Sequence, residues 1–475
     1  MKNVSLLCVA FFVLFSANAQ QIQWANKLIK FSSDLGGKQH GIKRILGKPD
    51  VFPQGGSSPN AWTPKKALDG YEWLEVGFEK PQTVKQVAIF ENLNAGCVVS
   101  VAVDDGSGKY KRVWSRKANY KTVTFKATIP ADRNYYFKRK RRKIQESPDV
   151  VNPGVEYAIL EEAVSGVVAV RVEFNFALLP GQKEVDAIGI SDSETPIQPS
   201  VNTTTTFENL TLAQTLNLPE IEPSSCSVSV DGNKFFVTAI NDTKNEIYSF
   251  TKDASGKWSN KKNEPALNTN DRYNHVRCIG SDFMLKGGVL HNPGTNETGF
   301  ELFAVNNGDY QNLGHLKVAA FNNYDDTAEA FLSTDRKVLI MGIETDFSQG
   351  GSDLYFAQQK EDGTYGFLQN MGKVINSAAD EGMCQLLSDN KTMLFSSDGF
   401  SAFGSYDVFV SYRLDDTWKN WSEPINLGSK VNTTDFDGLP FYDEKNEVLY
   451  YISSQDETNV LKFIPLPKSD LTKQN

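Results

Sequence analysis

The stretch Cys384-Gln385-Leu386-Leu387-Ser388-Asp389-Asn390-Lys391-Thr392-Met393-Leu394-Phe395 decides the fold, since it reads as a strand, a polar turn and a second strand. The same pattern recurs four more times, beginning at Cys226, Cys278, Ala330 and Pro440. Successive copies start 52, 52, 54 and 56 residues apart. A sustained period of this size is typical of propellers and solenoids.

Two further motifs recur in phase with the first. One is an acidic, an aliphatic and an aromatic residue, which we assign to the third strand of each unit. Its copies begin at Glu246, Glu301, Asp353 and Asp407, with a degenerate fifth copy at Asn459-Val460-Leu461. The other motif is Asn-x-Gly, which closes units two to four at Asn312, Asn370 and Asn426.

The fifth unit ends near Pro465 and leaves no room for a fourth strand. An unassigned strand pattern lies before the first unit, from Leu212 to Leu218. Five complete four-stranded units result only if this early segment joins the last one. Such a closed ring removes open sheet edges, whereas an open solenoid needs polar capping units. We therefore predict a five-bladed β-propeller over residues 207–466, with six blades as the alternative.

Units three and four carry the clearest repeat residues, from Gly350-Gly351-Ser352-Asp353 to Ser396-Ser397-Asp398 and from Gly404-Ser405-Tyr406-Asp407 to Val431-Asn432-Thr433. They resemble the WD-repeat-like propeller repeats of secreted bacterial proteins, which accompany OmpA-like outer-membrane proteins and are similar to the TolB propeller. The resemblance implies an association with outer-membrane or cell-surface machinery. It does not extend to a C-terminal peptidoglycan-binding domain, so a cell-wall role is not carried over.

Residues 20–194 show short strand patterns over 72–78, 84–90, 98–103, 167–174 and 184–190, which predict a β-sandwich. The segments Leu46-Gly47-Lys48-Pro49-Asp50-Val51, Asn60-Ala61-Trp62-Thr63-Pro64 and Glu184 to Ile190 resemble a discoidin-like, galactose-binding-like jelly roll. The resemblance implies binding of glycans, lipid head groups or protein surfaces through loops at one end. Trp62 and Asn94 are the candidate binding residues, and a core role is the alternative for Trp62. A Pro/Ser/Thr-rich linker follows over 195–206, and 467–475 form a tail.

The N-terminus carries an export signal over residues 1–19. Lys2 precedes an apolar run from Leu6 to Phe15, and Ala17-Asn18-Ala19 is a small-x-small cleavage site. The run is too short to span a bilayer as a mature helix. We expect a soluble, exported protein without a transmembrane segment, in the periplasm or at the cell surface of a Gram-negative bacterium. An uncleaved N-terminal anchor is the rival interpretation.

Charge and cysteine use narrow the classes of partner. The formal net charge of −9 does not favour nucleic acid. One basic run supplies Lys138, Arg139, Arg141 and Arg142, which could bind an anionic polymer or form a solvated loop.

Asp326-Thr327-Ala328 resembles the O-glycan acceptor of exported Bacteroidota proteins, with chance as the competing explanation. Cys226, Cys278 and Cys384 share one repeat position, which predicts buried free thiols.

Enzymatic motifs are missing from the sequence. It contains no G-x-S-x-G, H-E-x-x-H, P-loop or dinucleotide fingerprint, so we expect no metal and no cofactor. Acids do precede the predicted first strands, where they would lie at the channel mouth; the candidates are Asp326, Glu329, Asp380, Glu381 and Asp437. The recurrence of these acids in most units favours a structural role, in which each carboxylate accepts hydrogen bonds from the backbone of its own turn. Two or three acids in different environments at the channel mouth would instead indicate a glycoside hydrolase.

The sequence thus predicts an all-β, exported, non-catalytic binding or scaffold protein. It would recognise a protein or a glycan through the propeller face and the jelly-roll loops. A five-bladed propeller glycoside hydrolase is one alternative. A subunit of a bacterial envelope assembly, such as a secretion or gliding machine, is the other.

Overall fold

The computed structural model describes residues 20–119, 121–124, 152–218, 220–240, 244–268, 274–287, 297–306, 308–325, 328–455 and 458–472. The regular secondary structure of these residues is almost all β-strand, as the sequence predicts. The two α-helices among them have four residues each, α1 (Thr205–Glu208) and α2 (Lys468–Leu471). Two short 3-10 turns cover Ile42–Ile45 and Phe176–Leu178.

The N-terminal unit is one antiparallel sheet of eight strands. They are β1 (Ile22–Trp24), β2 (Lys27–Phe31), β3 (Tyr71–Glu91), β4 (Val98–Asp104), β5 (Lys111–Ser115), β6 (Val123–Thr124), β7 (Gly154–Asn175) and β8 (Ala187–Ser191). The path runs β1-β8-β3-β7-β4-β5, with β2 beside β3 and β6 beside β7. The jelly-roll topology stays a prediction.

Strand β3 joins two segments that the sequence analysis treats as separate strands, 72–78 and 84–90. It runs beside β7 along its whole length, with register shifts between Gly77 and Gln86. These bulges let the paired strands bend without a break in the chain. Alternate apolar side chains of both strands, including Leu74, Val76 and Val172, are buried in the core of the unit.

Residues 207–466 form five antiparallel sheets of four strands each. Blade 1 holds β10 (Pro223–Val228), β11 (Lys234–Ala239), β12 (Glu246–Lys252) and β13 (Trp258–Asn263). Blade 2 holds β14 (His275–Ile279), β15 (Phe283–Gly287), β16 (Glu297–Asn306) and β17 (Asp309–Lys317). Blade 3 holds β18 (Glu329–Leu332), β19 (Val338–Ile343), β20 (Asp353–Gln358) and β21 (Gln369–Asn370). Blade 4 holds β22 (Glu381–Leu386), β23 (Thr392–Ser397), β24 (Asp407–Tyr412) and β25 (Ile425–Asn426).

Blade 5 closes the ring with an early segment of the chain. It holds β26 (Asp437–Asp443), β27 (Val448–Gln455), β28 (Thr458–Pro465) and β9 (Gln214–Thr215). The inner strand β10 of blade 1 contacts both β14 and β26, so the five blades form a complete circle. The five-bladed prediction is confirmed and the six-bladed alternative is wrong. The closing strand has only two residues and is shorter than the predicted 212–218.

The acidic motif and the Asn-x-Gly motif form one hydrogen-bond network. In blade 4 the Asn426 side-chain amide donates to Asp407 at 2.7 Å, and the Gly428 N–H donates to Asn426 Oδ1 at 2.8 Å. Gly428 has a φ of +80°, a left-handed conformation that favours glycine. Blades 2 and 3 repeat the network through Asn312 and Asn370. The recurrence of both motifs is therefore explained by blade assembly.

The fifth copy of the acidic motif is displaced by one residue. In blade 3 the Leu354 C=O accepts the N–H of Met371, and in blade 5 the Leu461 C=O accepts the N–H of Leu216. Leu461, rather than the predicted Val460, therefore takes the aliphatic position. Val460 stands where the other blades carry an acid.

The segment 195–206 is attached to both units despite its linker composition. Ile197 is buried, and its C=O accepts the Tyr157 hydroxyl at 2.9 Å. The Asn202 side-chain amide donates to the Pro424 C=O, and the Asn202 backbone C=O accepts the Asn426 N–H, both at 2.8 Å. The segment is thus fixed to the N-terminal unit at one end and to blade 4 at the other.

The four described cysteines are free thiols, with Cys97, Cys226 and Cys278 buried. Cys384 is half-buried, which departs from the prediction that it is buried like its repeat partners.

We expect native protein to resist alkylation at the three buried cysteines. Burial raises the pKa of Cys97 and Cys278 to about 12 and also raises the pKa of Cys226. For the chain without residues 1–19, which contain Cys8, mass spectrometry after non-reducing treatment with iodoacetamide should show at most Cys384 modified in native buffer and four cysteines modified in denaturant. Two or fewer modified cysteines in denaturant would reveal a disulfide and contradict this assignment.

Candidate functional site

The propeller axis is nearly filled by side chains of the inner strands. Among the described residues, Arg277, Phe331, Met383 and Phe441 line a cavity of about 30 Å³ there. This is room for a water molecule or two, whereas small-molecule sites span roughly 300–1,000 Å³. This cavity, as the described residues form it, is too small for a sugar ring.

An ion pair marks the mouth of the axis. Arg277 on β14 contacts the carboxylate of Glu329 on β18. Burial raises the pKa of Glu329, and the opposing effect of Arg277 is smaller. The structure describes four of the five predicted mouth acids, and among these only Glu329 takes part in an ion pair with a described residue.

Carboxyls collect around the same mouth from neighbouring loops. Burial raises the pKa of Glu344, and the charges of Asp325 and Asp380 raise it further. Asp380 itself accepts the Ser352 N–H at 2.8 Å and the Tyr406 hydroxyl at 3.2 Å. Asp380 thus joins the loops of two blades as well as facing the mouth.

Two of the predicted acids lie inside their own loops. Glu381 is buried and accepts the backbone N–H and the hydroxyl of Ser377 at 2.8 and 2.7 Å. Asp437 makes the same pair of bonds with Thr433, at 2.6 and 2.7 Å. Each carboxylate fixes the turn that leads into the inner strand of its blade.

Two exposed aromatic residues stand beside the mouth on blade 3. Tyr324 is 55% and Phe347 is 76% exposed. The Tyr324 hydroxyl donates to Asp346 at 2.9 Å, and its N–H donates to the Glu344 C=O at 2.8 Å. We call Tyr324, Glu344, Asp346 and Phe347 the blade 3 rim. The sequence motifs do not predict this rim; the signal that the sequence offers is two aromatic residues within polar loops.

The loop end of the N-terminal unit is docked on blades 3 and 4. The buried Asn60 side chain donates to the Gly399 C=O at 2.6 Å and accepts the Ala378 N–H at 2.8 Å. Lys38 donates to the backbone C=O of Asp346 at 2.9 Å. These loops, which the resemblance implies for ligand binding, contact the propeller instead.

The structure places Trp62 and Asn94 within the N-terminal unit. Trp62 is fully buried, packs against Phe174 and donates its indole N–H to the Ser33 C=O at 3.1 Å. Asn94 is half-buried and donates to the Gln182 C=O at 2.7 Å. Both side chains make contacts that stabilise the unit.

Several predicted site residues lie outside the described residues. They are Lys138, Arg139, Arg141 and Arg142 of the basic run, and Asp326. The predicted export signal over residues 1–19 also lies there. Within the described ranges, no helix has the length and apolar character needed to cross a membrane. The same ranges hold no group of three or more His, Cys, Asp or Glu side chains arranged to bind a metal ion.

Comparisons with known proteins give only distant likenesses. No family model and no curated protein matches the chain. Similar solved structures include TolB from Acinetobacter baumannii, with 12% identity and a TM-score of 0.34 over 53% of this chain and 56% of TolB. An endo-arabinase from Bacteroides thetaiotaomicron has 15% identity and a TM-score of 0.35 over 55% of this chain and 98% of its own. The family 32 carbohydrate-binding module of Streptococcus pneumoniae EndoD has 10% identity and a TM-score of 0.25 over 36% and 99%.

Proposed function

We propose that the chain is an exported, non-catalytic binding protein that contacts a protein or glycan through the blade 3 rim. The observation that carries this proposal is the pair of exposed aromatic residues, Tyr324 and Phe347, held beside carboxyls at the mouth of the axis. An aromatic face can stack on an apolar sugar face or side chain, and neighbouring carboxylates accept hydrogen bonds from hydroxyl or amide groups.

The rim is held in place before a ligand arrives. Asp346 accepts the Tyr324 hydroxyl, and its own C=O accepts the ammonium group of Lys38 from the N-terminal unit. A surface fixed in this way loses less conformational entropy on binding. We infer that the N-terminal unit is a discoidin-like jelly roll whose docked loop end supports the rim.

A binding role fits the filled axis. Among the described residues, the axial cavity of about 30 Å³ is too small to hold a sugar that is distorted and attacked. Glu381 and Asp437 are bound to their own turns, so their carboxylates are not positioned opposite a scissile bond. The proposed contact is therefore on the face and not within the channel.

We expect the double substitution Tyr324→Ala and Phe347→Ala to weaken ligand binding at least tenfold, because aromatic anchors dominate binding energy. Glycan arrays and pull-downs from bacterial envelope fractions would identify the ligand, and titration calorimetry would measure its affinity. Phe367→Ala is the matched control, since Phe367 belongs to the same blade, is 75% exposed and lies in the loop between β20 and β21. Equal affinity in the double variant and wild type would exclude the rim.

A glycoside hydrolase is the second candidate, and one observation favours it. The pKa values of Glu329 and Glu344 are both raised by burial, as a general acid requires. The glycans that bind on the array would be incubated with the protein and assayed for released product. Product release by the wild type that is lost in Glu329→Gln would establish hydrolysis. Stable co-purification with envelope proteins would instead support the third alternative, a subunit of an envelope assembly.

A further inference from the structure

One buried lysine departs from the repeat of the blades. The residues that pair with the third-strand acids of blades 1 to 4 are, in order, Ala239, Lys286, Ile343 and Ser397. Of these four blades, only blade 2 therefore has a cation opposite its acid. The Lys286 side chain is fully buried, and a buried ammonium group is costly unless other groups compensate it.

Two side chains contact the Lys286 ammonium group. Its Nζ lies 2.6 Å from Oε2 of Glu301 and donates to Oδ1 of Asn274 at 3.3 Å. Asn274 is fully buried like Lys286, and the Glu301 side chain is 12% exposed. An amine, a carboxyl and a carboxamide thus share one site that is almost closed to solvent. We call Asn274, Lys286 and Glu301 the blade 2 triad.

Neighbouring groups fix the two partners of Lys286. Nδ2 of Asn274 donates to the Asn245 C=O at 3.1 Å, and Nδ2 of Asn312 donates to Oε1 of Glu301 at 2.7 Å. Since Cγ of Asn274 is one C=O bond, about 1.23 Å, from Oδ1, the Lys286 nitrogen lies close to this carbon. Groups held together in this way need little further ordering to react.

We propose that Lys286 and Asn274 become joined by an amide bond between their side chains, with Glu301 as the catalytic acid and base. Lys286 passes one proton to Oε2 of Glu301, and the free amine attacks Cγ of Asn274. The Nζ–Cγ bond forms and the Cγ–Nδ2 bond breaks. The proton on Glu301 and a second proton from Nζ leave with Nδ2 as an ammonium ion, so the reaction needs no oxidant or co-reactant.

The surroundings of the blade 2 triad determine how readily Lys286 gives up its proton. Burial raises the pKa of Glu301, but its hydrogen bonds with Lys286 and Asn312 and the charge of Lys286 outweigh this, so its pKa is lowered. The ion pair is therefore the resting state. Because burial penalises both charges, proton transfer within the pair costs less here than in water. We expect a slow maturation step that follows folding.

The amide bond closes the β14–β15 hairpin at its open end. Asn274 immediately precedes β14, and Lys286 of β15 pairs with Val276 of β14. A covalent link at this place restricts the unfolded chain as a disulfide does, but it does not depend on a redox state. The inference is independent of the blade 3 rim, and either can fail without the other.

Peptide mass spectrometry of the chain without residues 1–19 tests the bond. Trypsin does not cleave after an acylated lysine, so a digest made after prolonged incubation at neutral pH should contain a branched peptide that joins residues 273–277 to 278–317. Its mass should be below the sum of the two peptides by one ammonia, about 17 Da. We expect at least tenfold less of it in Lys286→Arg, which lacks the attacking amine, and in Glu301→Gln, which cannot accept the proton.

Lys262→Arg is the matched control, because Lys262 also pairs with a glutamate, Glu264, but is 65% exposed. It should form the branched peptide as wild type does. The proposal is overturned if the wild-type digest contains only the separate peptides 273–277 and 278–286, or if ammonia is lost only by cyclisation of Gln20. Equal cross-linking in Glu301→Gln and wild type would also overturn it. The wild-type digest decides whether the bond exists even where a variant does not fold.

Discussion

Replacing Phe207 with alanine is expected to lower the free energy of unfolding by about 3–5 kcal/mol, as for other buried phenylalanines. Phe207 belongs to α1, just before the closing strand, and is almost completely buried. It packs in one cluster with Leu427 and Val431 of blade 4 and Tyr451 of blade 5. Since β9 pairs with β28 through only two residues, this side chain supplies much of the attachment that closes the ring.

Urea unfolding followed by tryptophan fluorescence would measure the change. Leu212→Ala is the control, because this leucine of the same segment is largely exposed and exposed positions usually change stability by less than about 0.5 kcal/mol. If Phe207→Ala cost no more than the control, the ring would be held by β9 pairing alone.

Asn60→Leu is expected to lower the free energy of unfolding by about 2–6 kcal/mol, since each buried polar group that loses its partner costs about 1–3 kcal/mol. Leucine has a similar volume but can neither donate to the Gly399 C=O nor accept the Ala378 N–H. Both backbone groups would be left within the interface between the N-terminal unit and the propeller. The variant should also become sensitive to proteolysis at 195–206, where the two units are joined.

The control for Asn60→Leu is Lys48→Ala, which removes an exposed ion pair with Glu423 across the same interface. Exposed pairs contribute about 0–1 kcal/mol, so this variant should stay close to wild type. Equal unfolding and proteolysis profiles for the two variants would show that the interface does not depend on the Asn60 bonds.

Much of the propeller follows from its repeats. The period located all five inner strands, and the missing fourth strand of the last unit identified the segment that contains Gln214 and Thr215. The roles of the recurring residues did not follow in the same way. Asn370 and Asp353 repeat visibly, but only the structure shows that they bond one another.

The surroundings of the candidate site were harder to predict, because the loops docked beside it come from a segment far away in the chain. Asn60 and Ala378 lie 318 residues apart, and no periodicity connects them. Tyr324 and Phe347 belong to loops of one blade, yet their closeness depends on how those loops bond. Repeats report what all blades share, whereas a binding surface depends on where one blade differs.

The sequence by itself determined the all-β class, the number of blades and the circular closure, because each is written in local hydrophobic alternation and in its period. Tertiary structure alone decided that the loop end of the N-terminal unit is docked and that the inner-strand side chains leave only a small cavity at the axis. These features depend on side-chain packing and on hydrogen bonds between distant segments, which local pattern does not encode.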